Sequence, residues 1–146
     1  RRTPRWKRRA VLSASSNSYI DRNVKQGKKY TYKVRAYNNG IFGRFSSEKK
    51  VYRLKTLTNI RVKNTSGRRA AVLWKKKTYA TTYQVKYAAN PSFNKARKVS
   101  ANKKNSRLTT KKLKKKTYYF QIRYSYKKGG VKSWSAWSKV KKIKIR

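Results

Sequence analysis

One seven-residue strand is written twice in this chain, and the distance between the copies sets the size of the unit that can fold. Tyr30-Thr31-Tyr32-Lys33-Val34-Arg35-Ala36 alternates apolar with polar residues, and Tyr118-Tyr119-Phe120-Gln121-Ile122-Arg123-Tyr124 repeats the pattern of aromatic, aromatic, aliphatic and Arg. Period-two alternation puts successive side chains on opposite faces, so each copy predicts a half-buried strand. The flanks repeat as well. Asn17-Ser18 and Asn105-Ser106 each precede an apolar stretch, ending at Val24 or Leu113, that passes through a basic turn into the aromatic strand. Phe45-Ser46-Ser47 with Val51 corresponds to Trp137-Ser138 with Val140. The period of roughly 88 residues is too long for a solenoid unit and suits a β-sandwich domain.

The remaining segments agree with an all-β chain. Alternation recurs in Ala70-Val72-Trp74 and Tyr83-Val85-Tyr87. Turn-forming residues separate the runs: Asn38-Asn39-Gly40, Asn64-Thr65-Ser66-Gly67, Asn90-Pro91-Ser92 and Lys128-Gly129-Gly130. No window holds a helical stripe, and Lys111 to Lys116 reads as a solvated turn.

Charge limits the chemistry. Forty-five Lys and Arg stand against two acidic residues, with no His and no Cys, for a formal net charge of +43 over 146 residues. Acid–base pairs, catalytic triads and metal sites draw on Asp, Glu, His and Cys, so no catalytic, cofactor or metal site is expected. Like charges also oppose compaction. The 36% of apolar residues, including four Trp and twelve Tyr, are periodic enough to argue for folding against that repulsion.

These residues carry a resemblance. From about Thr56 to Arg146 the chain resembles a fibronectin type III domain of the Lys-rich bacterial, Gram-positive cell-surface kind. The features are Trp74 on the second strand, Tyr83-x-Val85-x-Tyr87 on the third, Leu113 then Tyr118 at a tyrosine corner, and a closing Trp137-Ser138-Lys139-Val140. Residues 1–55 are similar to the later strands only: Trp6 to Ala14 the fourth, Ser18 to Asp21 the fifth, Tyr30 to Tyr37 the sixth and Lys50 to Leu54 the last. The resemblance implies an immunoglobulin-like β-sandwich with one complete domain, 56–146, preceded by the C-terminal half of another, 1–55. A half sandwich has no opposing sheet to bury its apolar face. Residues 1–55 are therefore expected to belong to a longer polypeptide, to be completed by another chain or copy, or to dock on the second half. The start at Arg1 without Met favours a fragment. The corner turn Leu113-Lys114-Lys115-Lys116-Thr117-Tyr118 is one residue shorter than Val24 to Tyr30 and lacks its Gly, which predicts a distorted corner.

Trp134-Ser135-Ala136-Trp137-Ser138 is similar to the Trp-Ser-x-Trp-Ser box of cytokine receptors, which are built on the same domain type. That similarity implies Trp rings interleaved with basic side chains, here Arg123, in a ladder that stiffens the sheet face. Trp74, Tyr83, Val85, Tyr87, Phe120 and Ile122 read as core. Asp21 is expected to cap a turn or pair with a nearby Lys, and Glu48 to lie in a solvated turn.

An excess of this size exceeds what solubility needs, which is a net charge of about 2 to 8 for a small domain. The predicted outward face of the third, sixth and last strands offers Lys86, Tyr119, Arg123, Trp134, Lys139 and Lys141 as candidate polyanion contacts, with rings among cations. Charge spread along the chain predicts non-specific adhesion to anionic glycans, teichoic acids or nucleic acid. Alternatives are a structural spacer completed by another chain and a cationic membrane-active protein; no amphipathic helix or transmembrane segment supports the latter. The resemblance implies a secreted or cell-wall-associated protein.

Overall fold

The computed structural model describes residues 5–146. Twelve strands account for the regular structure of those residues: β1 Lys29–Tyr32, β2 Tyr37–Asn38, β3 Ile41–Phe42, β4 Lys49–Tyr52, β5 Arg61–Thr65, β6 Arg69–Leu73, β7 Thr82–Ala88, β8 Arg97–Asn102, β9 Arg107–Thr109, β10 Thr117–Lys128, β11 Val131–Trp134 and β12 Lys141–Lys144. All ladders are antiparallel. The all-β expectation holds.

Strands β5 to β12 form two packed sheets. One runs β5-β6-β9; the other runs β11-β10-β7-β8, with β12 also on β10. The register of β7 on β10 sets Tyr83 opposite Tyr124, Val85 opposite Ile122 and Tyr87 opposite Phe120. All six side chains are buried, with Val72, Trp74 and Ile145 from the facing layer and the chain end. Each such burial contributes about 1.5–3 kcal/mol, and the alternation that brings them to one face leaves Gln84, Lys86, Gln121 and Arg123 on the other.

Between β11 and β12 the chain leaves the regular ladder, yet stays bonded to β10. Ser135 and Ser138 donate their N–H groups to the carbonyls of Tyr124 and Ile122, both at 2.9 Å. Their hydroxyls accept from the N–H groups of Tyr124 (3.1 Å) and Ile122 (3.0 Å). The serine hydroxyls thus replace backbone carbonyls along a buried edge, where an unpaired N–H would cost about 1–3 kcal/mol.

Residues 5–55 reproduce part of this arrangement. β1 pairs with β4, and β2 with β3 across Asn39-Gly40, whose φ angles of 45° and 82° match the turn that suits strand twist. Gly129-Gly130, at 56° and 75°, turns β10 into β11 in the same way. Ser46 donates its N–H to Val34 O (2.7 Å) and accepts the Val34 N–H on its hydroxyl (3.0 Å), as Ser138 does for Ile122. The tyrosine corner forms here: the Lys25 N–H donates to Tyr30 Oη at 2.7 Å.

Several predicted limits shift. Trp6 to Ala14 and Ser18 to Asp21, expected from the resemblance as the fourth and fifth strands, carry no strand, because among the described residues no neighbouring strand pairs with them. The expected strand Tyr30 to Tyr37 is split between β1 and β2, and Lys50 to Leu54 becomes Lys49–Tyr52. Leu57 and Ile60 are buried ahead of β5 and anchor the connection. Residues 5–55 meet the sandwich along β4: the Tyr52 N–H donates to Ser133 Oγ at 2.8 Å, and the Tyr52 ring packs edge-on against Tyr126 at 5.1 Å.

Candidate functional site

The outward face of β7 and β10 carries a row of alternating rings and cations. Lys86 Nζ lies 4.5 Å from the ring centroids of both Phe93 and Trp137. Arg123 Cζ lies 4.3 Å from Trp137 and from Trp134, and Lys132 Nζ closes the row 4.9 Å from Trp134. The register that pairs Arg123 with Gln84 brings the guanidinium over an acceptor: Nε and Nη2 donate to Gln84 Oε1 at 3.0 and 2.7 Å. Burial lowers the pKa of Arg123, and burial followed by the positive charges of Lys98 and Arg123 lowers that of Lys86.

The candidates read from the sequence therefore separate. Lys86, Arg123 and Trp134 are half-buried members of this row, held by rings and by Gln84. Tyr119 is half-buried on β10, between Ala88 of β7 and Lys142 of β12. Lys139 is exposed just ahead of β12, and Lys141 is exposed at its first position. The six do not form one open face. Phe93 and Lys132 were not among the expected members; Phe93 sits outside any strand, with φ 57°, and alternation gives no sign of its position.

A second row lies in residues 5–55, in the order Trp6, Lys33, Phe45, Arg35, Phe42. Lys33 Nζ is 4.0 Å from Trp6 and 4.2 Å from Phe45; Arg35 Cζ is 4.5 Å from Phe45 and 3.8 Å from Phe42. The match of Phe42-Gly43-Arg44-Phe45-Ser46 to Trp134-Ser135-Ala136-Trp137-Ser138 could have revealed it in the sequence.

Both acidic residues lie in the N-terminal part. Asp21 caps the turn that follows it, as expected, by accepting from the Asn23 N–H (2.9 Å); it also accepts from Tyr32 Oη (3.1 Å) and faces Arg9 at 3.5 Å. Burial, then the hydrogen bond to Asp21, raises the Tyr32 pKa. Glu48 is exposed, 3.9 Å from Lys50. Residues 56–146 contain no Asp or Glu, so no Lys or Arg there has a side-chain carboxylate of its own segment to neutralise it. Among the described residues no group of three His, Cys, Asp or Glu is placed to hold a metal ion.

Two adjoining hollows, of about 400 and 610 Å³, open where β5 and β12 meet at the side of the sandwich. Ile60, Arg61, Leu73 and Lys141 line both; Val62, Lys63 and Lys142 line the first, Trp74, Lys75 and Ser106 the second. Of the expected candidates, Lys141 alone belongs to this cleft.

No family model matches the chain, and no curated protein matches it. Solved structures do. The FN1–FN3 domains of chicken CNTN1 align with 88% of this chain at 21% identity and a TM-score of 0.52, and this chain spans 44% of their length. A two-domain fibronectin type III segment of chicken tenascin aligns with 82% at 17% identity and a TM-score of 0.55. A cytokine receptor complex aligns with 70% at 17% identity and a TM-score of 0.55. These likenesses show the fold, a fibronectin type III β-sandwich.

Proposed function

We propose that this chain, built on the fibronectin type III fold, is a non-catalytic cationic module that adheres to polyanions outside the cell, as a secreted or cell-wall-associated protein. The observation that carries the reading is the absence of any acidic residue from 56–146, which leaves the cations of a whole sandwich uncompensated. Such a surface releases counterions from a polyanion, so binding is strong at low salt and falls steeply as salt rises. The ring-and-cation rows support a rigid carrier for this charge; their cations are already engaged with rings and Gln84. Retention on a heparin or DNA column with steep loss on a salt gradient supports the reading. Elution below physiological salt contradicts it.

A second reading rests on the exposed apolar side chains of residues 5–55: Val11, Ile20, Val34 and Ile41 are each at least 65% exposed. We propose that this segment is the C-terminal half of a domain of the same kind as 56–146, completed by three strands patterned like β5, β6 and β7 from outside these 146 residues, in the same polypeptide or in another chain. A second copy of the same 146 residues does not suffice, because each copy holds two C-terminal halves and one set of such strands. A monodisperse monomer in high salt with slow amide exchange at Val34 would contradict completion from outside these residues.

A further inference from the structure

The cleft between β5 and β12 differs from the rest of the basic surface in three ways. It is concave, with a volume in the range of small-ligand sites of about 300–1,000 Å³. Its rim draws cations from both sheets, Arg61 and Lys63 on β5 facing Lys141 and Lys142 on β12, with Lys75 at one end. Its floor is aliphatic, from the half-buried Val62 and Leu73 over the buried Ile60. The strands that flank it are edges: β5 pairs only with β6 and β12 only with β10, and Asn64 Nδ2 donates to Lys144 O at 2.9 Å across the gap. Edge strands leave backbone donors free to point into such a gap.

Resting on the polyanion reading above, we infer that this cleft is the preferred binding site for one strand of a linear anionic glycan, gripped on both edges by Arg61, Lys63, Lys141 and Lys142. Focusing explains the preference. Cations facing each other across a low-dielectric groove raise the local potential more than the same cations spread over a convex face. The floor explains the ligand class. Single-stranded nucleic acid binds largely by stacking its bases on exposed aromatic rings, and the one ring at this cleft, Trp74, is 5% exposed. Aliphatic side chains instead offer a surface to the C–H faces of a sugar backbone, while ammonium and guanidinium groups meet its sulfates or carboxylates.

The test uses the full chain, dextran sulfate as glycan and oligo-dT as nucleic acid. A variant with R61Q, K63Q, K141Q and K142Q is compared with a turn variant that removes the same charge at the β8–β9 turn, K103Q and K104Q, and at the end of β10 beside the β10–β11 turn, K127Q and K128Q; all eight positions are exposed. The cleft variant is expected to bind dextran sulfate about tenfold more weakly than the turn variant, with a salt slope lower by about 3. A third variant, K63R, K141R and K142R, should retain wild-type affinity, which separates lost charge from lost fold. Equal affinities of the cleft and turn variants, with the wild type still bound, overturn the cleft and leave general adhesion standing. Loss of oligo-dT binding as great as that of dextran sulfate overturns the glycan class. A wild-type chain that binds neither polymer overturns the adhesion reading itself.

Discussion

Val34 and Ile122 hold the same place in two copies of one strand: each donates its N–H to a serine hydroxyl at 3.0 Å, Ser46 for one and Ser138 for the other. Their surroundings are opposite. Ile122 is fully buried against the facing sheet, whereas Val34 is 72% exposed. The same local bonds therefore sit on an unprotected frame in one case and on a packed core in the other. Opening free energy follows buried apolar contact more than bond count. Amide hydrogen exchange is expected to be fast at Val34 and at the limit of global unfolding at Ile122. Equal protection would show that residues 5–55 are covered in solution.

Ser138 is 2% exposed and closes the edge of β10 by accepting from Ile122 and donating to Lys139 O at 3.1 Å. Ser138→Ala removes the acceptor and strands a buried N–H, at a cost of about 1–3 kcal/mol. Denaturant unfolding followed by Trp fluorescence checks this, with an unchanged slope and a lower midpoint.

Arg123→Lys keeps the charge but loses the planar fork that bonds Gln84 while stacking between Trp134 and Trp137. The expected loss is about 1–2 kcal/mol. Polyanion affinity should hardly change, because the guanidinium is engaged in the sheet face. A large affinity loss with unchanged stability would return Arg123 to the binding surface.

Tyr124 is fully buried, and burial followed by its hydrogen bond with Tyr79 raises its pKa above the ordinary value of 10.0. A raised folded pKa means that the folded state holds its proton longer than the unfolded chain. The stability from this group is therefore complete below pH 10 and is lost as pH rises past it. Tyr124→Phe is expected to flatten the fall of Tm in alkali, and phenolate absorbance of the native protein should show a late-ionising tyrosine.

The core of β5 to β12 was legible in the residues themselves. Tyr83, Val85, Tyr87, Phe120 and Ile122 announce their face by strict alternation, and the serine box announces the Arg123 row. What alternation does not encode is which edges lie side by side. Arg61 and Lys142 are distant in sequence and meet because the two sheets close on each other. Phe93 joins Lys86 through a turn with positive φ. In residues 5–55 the pattern marked which residues suit a sheet, but Trp6 to Ala14 has no neighbouring strand to pair with.

Repulsion among uncompensated cations should make folding itself sensitive to screening. Tm is expected to rise with sodium chloride and further with a bound polyanion. A Tm insensitive to ionic strength would contradict this.

The adhesion reading is tested most directly by the equilibrium affinity for dextran sulfate as a function of salt. Engagement of about five cations predicts that log K falls linearly with log salt at a slope near −4, with binding still measurable at physiological ionic strength. A slope near zero, or no binding at physiological salt, would contradict it.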